Sequence, residues 1–267
     1  MAAMLAVGLA SCSTVPEALP APEVRDSPWI TQRFTTTDPA VPATVTVFDP
    51  PPEPARTHIV RDVSAGDGAF YLGTTPWRRS LTGRQPVGVV MSSGTVQAVP
   101  VPSYWAVVLR NDGGWEIVPQ RAIVTNSGDV QDGEIVLQPG RAPSVTPNDV
   151  HLAVGGFYPL VVEGRAVARQ FPGGDIRAPR VAIGGTDRRL VVVTAGVGAG
   201  GGLTTEELAQ ELLRFDLDWA LNLDGGRSAY LRLPGGEVYP RGIWFRRRGP
   251  VALRFLPPRA PEMEMVE

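Results

Sequence analysis

The chain has 267 residues, 43% of them hydrophobic and 19% charged, with a net charge of −2. That length gives one large domain or two small ones with a full hydrophobic core, and the charge balance excludes an electrostatic nucleic-acid binder. All 25 basic residues are Arg, which excludes a lysine nucleophile; with only His58, His151 and Cys12 of their types, a multi-histidine or cysteine-cluster metal site and an internal disulfide are excluded too.

The first eleven residues are apolar or small and end in Leu9-Ala10-Ser11 before Cys12. A short apolar run closed by small residues is a secretory pattern, and Leu9-Ala10-Ser11-Cys12 resembles a lipobox, whose cysteine becomes the lipidated first residue. Residues 1–12 are therefore expected to be a lipoprotein signal peptide. The protein is then expected in the bacterial cell envelope, lipid-anchored to a membrane on its periplasmic or extracellular face. The run is too short to span a bilayer. No basic residue precedes it, so the true start is expected upstream of Met1. The other reading is a buried N-terminal helix with an incidental cysteine.

Residues 13–57 hold ten of the 27 prolines. Proline lacks an N–H and resists both ladder and helix, so the segment reads as a semi-rigid spacer, with a first strand at 43–48 where the pattern alternates. From residue 58 onward short β-runs alternate with turns. Strands are expected at 87–91, 121–125, 134–138, 150–154, 160–163, 180–183, 190–194 and 251–255. A hairpin is expected where 105–110 leads through Asn111, Asp112, Gly113 and Gly114 into 115–118. Residues 257–267 are Pro-rich and acidic and read as a disordered tail.

One clear helix is expected near 204–215. Thr204 and Glu207 form a capping box, and Leu208, Leu212 and Phe215 mark an apolar face. Residues 218–224 then alternate as a strand, with Trp219, Leu221 and Leu223 on one face and Ala220, Asn222 and Asp224 on the other. Asn222 and Asp224 should lie roughly 7 Å apart. Gly225 and Gly226 permit a sharp bend, and 229–233 reads as a returning strand. A polar pair at a strand end beside glycines is a candidate site; the plain alternative is a turn with a satisfied Asp. The fold class that results is α+β, with strand-rich mixed or antiparallel sheets and few helices.

Gly196 to Gly201 matches Gly-x-Gly-x-x-Gly between a strand and a helix, the setting of a dinucleotide-binding turn. The preceding chain consists of strands and turns rather than β-α units, which argues against a doubly wound domain. A glycine-rich turn at a helix N-terminus can still hold a phosphate.

The capped helix with its Glu-Leu-Ala, followed by Asn-Leu-Asp-Gly-Gly-Arg-Ser at 222–228, resembles the C-terminal signature of the phosphodiester glycosidase family. Residues 178–184 resemble that family's Pro-Arg-x-Ala-Ile-Gly strand, and residues 154–164 its Gly-Gly, Pro-x-Leu-Val, Gly segment. Residues 73–77 and 86–88 more loosely resemble its early Asn-containing turn and the Pro-x-Gly after it. The resemblance covers about residues 58–256, the expected catalytic domain. Arg227 stands at the signature's third glycine, Ala229 at its second serine, and Thr74 and Thr75 in the early turn.

The resemblance implies hydrolysis of a sugar linked through its anomeric carbon to a phosphodiester in envelope polysaccharide or glycolipid. An oxocarbenium-like transition state needs a carboxylate as nucleophile or base, and Asp224 is the candidate. A phosphate leaving group needs a fixed positive charge more than a proton, and Arg180 is the candidate; its other reading is a buried structural salt bridge. Asn222 would orient the sugar or Asp224. Gly225, Gly226, Arg227, Ser228, Thr75 and Thr204 would contact substrate, Arg227 being either a phosphate contact or a surface residue. No cofactor is implied and no spacing demands a metal, although Asp224 could join an oxygen-ligand cation site. The expected partners are a carbohydrate or sugar-phosphate substrate and, through Cys12, a membrane. The rival expectation is a non-catalytic carbohydrate-binding or scaffolding lipoprotein on the same fold.

Overall fold

The computed structural model describes residues 30–35, 44–48, 57–60, 70–73, 77–80, 83–123, 147–167, 173–186, 189–196, 201–233, 236, 238–239 and 250–256. In chain order its strands are β1 (Ile30–Thr35), β2 (Thr44–Phe48), β3 (Thr57–Val60), β4 (Phe70–Gly73), β5 (Trp77–Ser80), β6 (Gly83–Pro86), β7 (Val90–Ser92), β8 (Thr95–Ala98), β9 (Trp105–Arg110) and β10 (Trp115–Pro119). They continue as β11 (Val150–Gly155), β12 (Pro159–Val162), β13 (Arg165–Ala166), β14 (Arg180–Gly185), β15 (Leu190–Ala195), β16 (Trp219–Asn222), β17 (Leu231–Arg232), β18 (Val238–Tyr239) and β19 (Ala252–Phe255). Among the described residues the one α-helix is α1 (Thr205–Leu212).

These strands pair antiparallel throughout. A seven-stranded sheet runs β1-β2-β15-β14-β16-β12-β13; two five-stranded sheets run β10-β9-β11-β7-β8 and β18-β17-β4-β19-β3; β5 and β6 form a ribbon. The α+β, strand-rich expectation is met. Strands β1 and β2 lie inside the segment read as a spacer, and β2 pairs with β15 from Val192↔Phe48 to Ala195↔Val45, so the large sheet starts at Ile30.

Alternation places the faces. Trp219, Leu221 and Leu223 join Val181, Ile183 and Val192 in a core that also takes Val107, Leu109 and Val154 from the β9–β11 sheet and Leu72, Leu253 and Phe255 from the β4–β19 sheet. Three sheets therefore share one apolar centre, the dominant favourable term in folding. On the opposite face of the large sheet, Ala182, Ala220, Val191 and Val193 receive Leu208, Ala209 and Leu212 of α1. Strands β15 and β16 both run antiparallel to β14, so they are parallel to each other with α1 as the crossover. This is a split β-α-β unit; the sheet is not the parallel doubly wound kind.

The expected hairpin forms, with Trp115↔Leu109 through Pro119↔Trp105. Gly113 takes φ +94°, and Asp112 Oδ1 accepts from the Gly114 N–H at 2.9 Å. Three expectations are corrected. The strand expected at 87–91 starts only at Val90, because Gly88 adopts φ +114° and packs on the Gln120 amide. In place of a strand at 121, Gln120–Ala122 is a 3-10 turn, since the fully buried Gln120 side chain turns inward. The strand expected at 229–233 shrinks to Leu231–Arg232 and pairs with β4 and β18 rather than returning along β16, because a 3-10 turn at Gly226–Ser228 carries the chain off the sheet. The expected strand at 134–138 and the tail from 257 lie outside the described residues, as do Cys12 and residues 13–29 of the spacer.

Gln120 holds a corner of the fold. Its Oε1 accepts from the Val89 N–H (2.9 Å) and the Val101 N–H (2.8 Å), and its Nε2 donates to the Trp105 carbonyl at 3.0 Å. Gln120→Ala takes the acceptor from the Val89 and Val101 N–H groups, at about 1–3 kcal/mol for each one that stays buried, while the Trp105 carbonyl keeps its bond from the Gly156 N–H. The expected outcome is about 2–4 kcal/mol of lost stability, read as a lower urea midpoint at unchanged slope.

Candidate active site

The end of the β14–β16 ladder builds the site. Ala182 pairs with Asn222, and the register persists one residue beyond β16, where the Leu223 N–H donates to the Val181 carbonyl (2.9 Å); the next bond, from the Gly226 N–H to the Pro179 carbonyl (2.8 Å), is shifted by one residue, a bulge at the glycines. Residues opposite each other in such a ladder point to the same side. Arg180, Asn222 and Asp224 therefore share the face on which Ala182 and Ala220 pack against α1. Where the helix cover ends, the polar trio opens into a cleft of about 200 Å³, lined also by Phe157, Tyr158, Gly173, Gly174, Thr205, Leu223 and Gly225.

Arg180 is 8% exposed. Its Nε donates to the Leu203 carbonyl (3.0 Å) and its Nη2 to the carbonyls of Gly173 (3.1 Å) and Ile176 (2.6 Å). No carboxylate pairs with it among the described residues, so the salt-bridge reading is not what is found there. Burial alone lowers its pKa from the ordinary arginine value. The carbonyls that hold it are themselves held. Ala178 and Leu203 exchange backbone bonds, and the Thr205 N–H and hydroxyl both donate to the Gly174 carbonyl. Arg177 pairs with Glu207 at 2.6 Å. Gly202 is required for this approach: it takes φ +106°, and a Cβ there would stand 2.2 Å from the Ala178 carbonyl oxygen.

Asp224 Oδ1 accepts from the Gly225 N–H at 3.0 Å, and the Ser228 hydroxyl bonds to the same carboxyl. Its Oδ2 is buried without a hydrogen-bond partner among the described residues, as is Asn222 Oδ1. Burial pushes the Asp224 pKa from 3.8 up to about 7, against the smaller opposing effect of those two hydrogen bonds.

Phe157 and Tyr158 complete the cleft from the turn between β11 and β12. The Phe157 N–H donates to the Asn222 carbonyl (2.9 Å) and the Asn222 N–H to the Tyr158 carbonyl (3.0 Å). Gly156 allows this contact, because a Cβ there would meet Leu221 Cδ2 at 2.7 Å. Tyr104 closes the group, its ring centroid 5.4 Å from Phe157 and 5.7 Å from Tyr158, both edge-on. Burial, then the neighbouring Tyr104, raises the Tyr158 pKa, so its hydroxyl keeps its proton at neutral pH.

Of the residues expected from sequence, Asp224, Arg180, Asn222 and Gly225 meet in this cleft. Thr204 does not line it: its hydroxyl accepts from the Glu207 N–H and Glu207 Oε2 accepts from its N–H, the complete capping box. Thr205 lines the cleft instead. Ser228 acts through Asp224, and Gly226 (φ +61°) makes the bend. Arg227 is exposed on the 3-10 turn, outside the cleft lining and without a positive φ, so its place does not demand glycine. Ala229 is buried in the central core. Thr75 and most of the Gly196 to Gly201 turn lie outside the described residues. The sequence reading missed Phe157, Tyr158 and Tyr104; two aromatics directly after a Gly-Gly pair were the available signal. Among the described residues no cluster of three or more His, Cys, Asp or Glu side chains could hold a metal ion.

Residues 79–253 match the family described as Phosphodiester glycosidase. No curated protein matches the sequence. Among solved structures, the fold is similar to the zebrafish N-acetylglucosamine-1-phosphodiester alpha-N-acetylglucosaminidase catalytic domain auto-inhibited by pro-peptide, at 16% identity and TM-score 0.55 over 88% of this chain and 86% of that one. It is similar too to a hypothetical protein from Synechocystis, at 17% identity and TM-score 0.54 over 87% of this chain and 64% of that one.

The raised Asp224 pKa has a stability consequence. Between pH 3.8 and about 7 the native state binds more protons than the unfolded chain, so stability falls as pH rises through that window and levels off above it. Asp224→Asn removes this slope. The variant is expected to match the wild type near pH 4 and exceed it at pH 8, by at most ~4 kcal/mol; urea unfolding at the two pH values checks it.

Proposed function

The chain belongs to the phosphodiester glycosidase family, and we propose that it hydrolyses the glycosidic bond of sugar-1-phosphodiesters, with envelope polysaccharide or glycolipid as its source. The observation that carries this reading is one carboxylate and one buried cation in the same cleft: among the described residues lining it, Asp224 alone is acidic and Arg180 alone is basic. That composition suits a bond between an anomeric carbon and a phosphate. Asp224 acts as its carboxylate at the anomeric carbon, either taking a proton from the attacking water or adding to carbon itself, in which case water then hydrolyses the glycosyl ester and frees the sugar and the carboxylate. The bond from carbon to the phosphate oxygen breaks, and the electron pair leaves with the phosphate monoester. Such a leaving group does not require the second, protonated carboxyl that an alkoxide would. It needs positive potential, supplied by the Arg180 guanidinium and by the N-terminal end of α1 at Thr205.

The Asp224 pKa of about 7 lets the group work near neutrality. Ser228 and the Gly225 N–H fix its position. The two departures from the family signature, Arg227 and Ala229, fall on the surface and in the core. Their placement favours a working enzyme over a binding module.

Hydrolysis of methyl esters of α- and β-linked glucose, mannose, galactose and N-acetylglucosamine 1-phosphates tests the proposal. Turnover of at least one is expected, with kcat/KM rising to a plateau above about pH 7 as Asp224 ionises. Asp224→Asn should lower kcat by roughly 100-fold or more, and Arg180→Gln should lower kcat/KM while the pH limb stays. No turnover by folded wild-type protein across the panel would leave a binding module. The envelope placement rests on the residues before and at Cys12. Full-length protein expressed in a lipoprotein-processing bacterium should partition to membranes and take up labelled fatty acid, and Cys12→Ala should lose both.

A further inference from the structure

Strand order decides what stands on either side of Asp224. In the large sheet β16 lies between β14 and β12, and neighbouring strands are about 4.8 Å apart. On the β14 side of the Asp224 carboxyl stands Arg180, with the Gly173–Gly174 loop and Thr205 beyond it. On the β12 side stand Phe157 and Tyr158, bonded through their backbones to Asn222. Moving across the strands, the cleft passes from cation, through carboxylate, to aromatic rings within about two strand spacings.

Resting on the glycosidase reading, we propose that substrate lies across β16, with the sugar ring on Phe157 and Tyr158, the anomeric carbon over Asp224, and the phosphate on the Arg180 side. The reverse pose would set a phosphodiester anion against aromatic faces, which carry negative potential, and leave the buried guanidinium facing a neutral sugar. Apolar C–H faces of a sugar ring suit an aromatic wall. This wall is held before any ligand arrives. Phe157 and Tyr158 are tilted at 6.3 Å and both abut Tyr104 edge-on. Tyr104 is itself pinned, its N–H donating to the Val101 carbonyl and its carbonyl accepting from the Gln120 N–H. Pre-set rings lose little entropy on binding. Phe157 and Tyr158 are then specificity-determining residues for the sugar, while the group esterified to the phosphate points past Arg180 and is weakly selected.

The test separates the two halves of the substrate. Using the full chain, inhibition of turnover is measured with the methyl glycoside of the preferred sugar and with inorganic phosphate. Tyr158→Ala and Phe157→Ala should each weaken the glycoside roughly 5–10-fold and leave phosphate within about twofold; Arg180→Gln should do the opposite. Circular dichroism confirms that each variant is folded, and Tyr158→Phe, which keeps the ring, should restore glycoside binding. Equal loss of both probes in all variants, or phosphate loss in the aromatic variants, overturns the orientation while turnover leaves the glycosidase reading standing. If wild-type protein shows no turnover, calorimetric titration with the same two probes decides the orientation alone, and binding of neither ends both.

Discussion

The Leu223 N–H donates to the Val181 carbonyl, and this bond carries the β14–β16 register past the last paired strand residue. An antiparallel register has a period of two, so a slip by one residue would turn Asp224 into the core and Leu223 into the cleft. The register is fixed from both faces. Trp219, Leu221 and Leu223 fit the centre shared by three sheets, while Ala220 and Ala182 are small enough to admit α1. The cleft is the place where this two-sided packing stops on one side only.

Burial without compensation then sets the chemistry. Arg180 is held by three carbonyls and Asp224 by one N–H and one hydroxyl. Carbonyl dipoles orient a guanidinium but do not cancel its charge, and two donors do not offset the cost of burying a carboxylate. Both ionised forms are disfavoured, as the directions of the two pKa shifts record. A bound anion relieves the first, and exchange of a proton with substrate or water relieves the second. The protein thus holds a pair of groups whose strain is coupled to ligand chemistry rather than spent on a salt bridge.

Glycine governs how closely the pieces approach. Gly202 lets the segment before α1 touch Ala178, which sets the carbonyls around Arg180, and Gly156 lets the aromatic turn sit on β16. At the third signature position no such need exists, since Arg227 has an ordinary backbone and faces solvent. The difference between a glycine that is needed and one that is replaceable lies in what stands opposite it.

Local rules made part of this protein legible from sequence. The capping box and the hairpin turn each span four residues, and the alternation of 218–224 needs only the period of a strand, so Thr204, α1 and the shared face of Asn222 and Asp224 could be read directly. The resemblance carried by those residues gave the family, and its Pro-Arg-x-Ala-Ile-Gly match at 178–184 gave Arg180. Tertiary structure decided the rest. Strand β1 and the pairing of β2 with β15 were hidden behind prolines, and Gln120 turned an expected strand into a 3-10 corner by reaching backbone groups 15 to 31 residues away. Phe157 and Tyr158 meet Asn222 across more than 60 residues of chain, and the Asp224 pKa depends on what buries it. Hydrogen bonds of short span are encoded in neighbours, whereas burial is a property of the whole packed chain, so position along the strand was written locally and the charge state of the site was not.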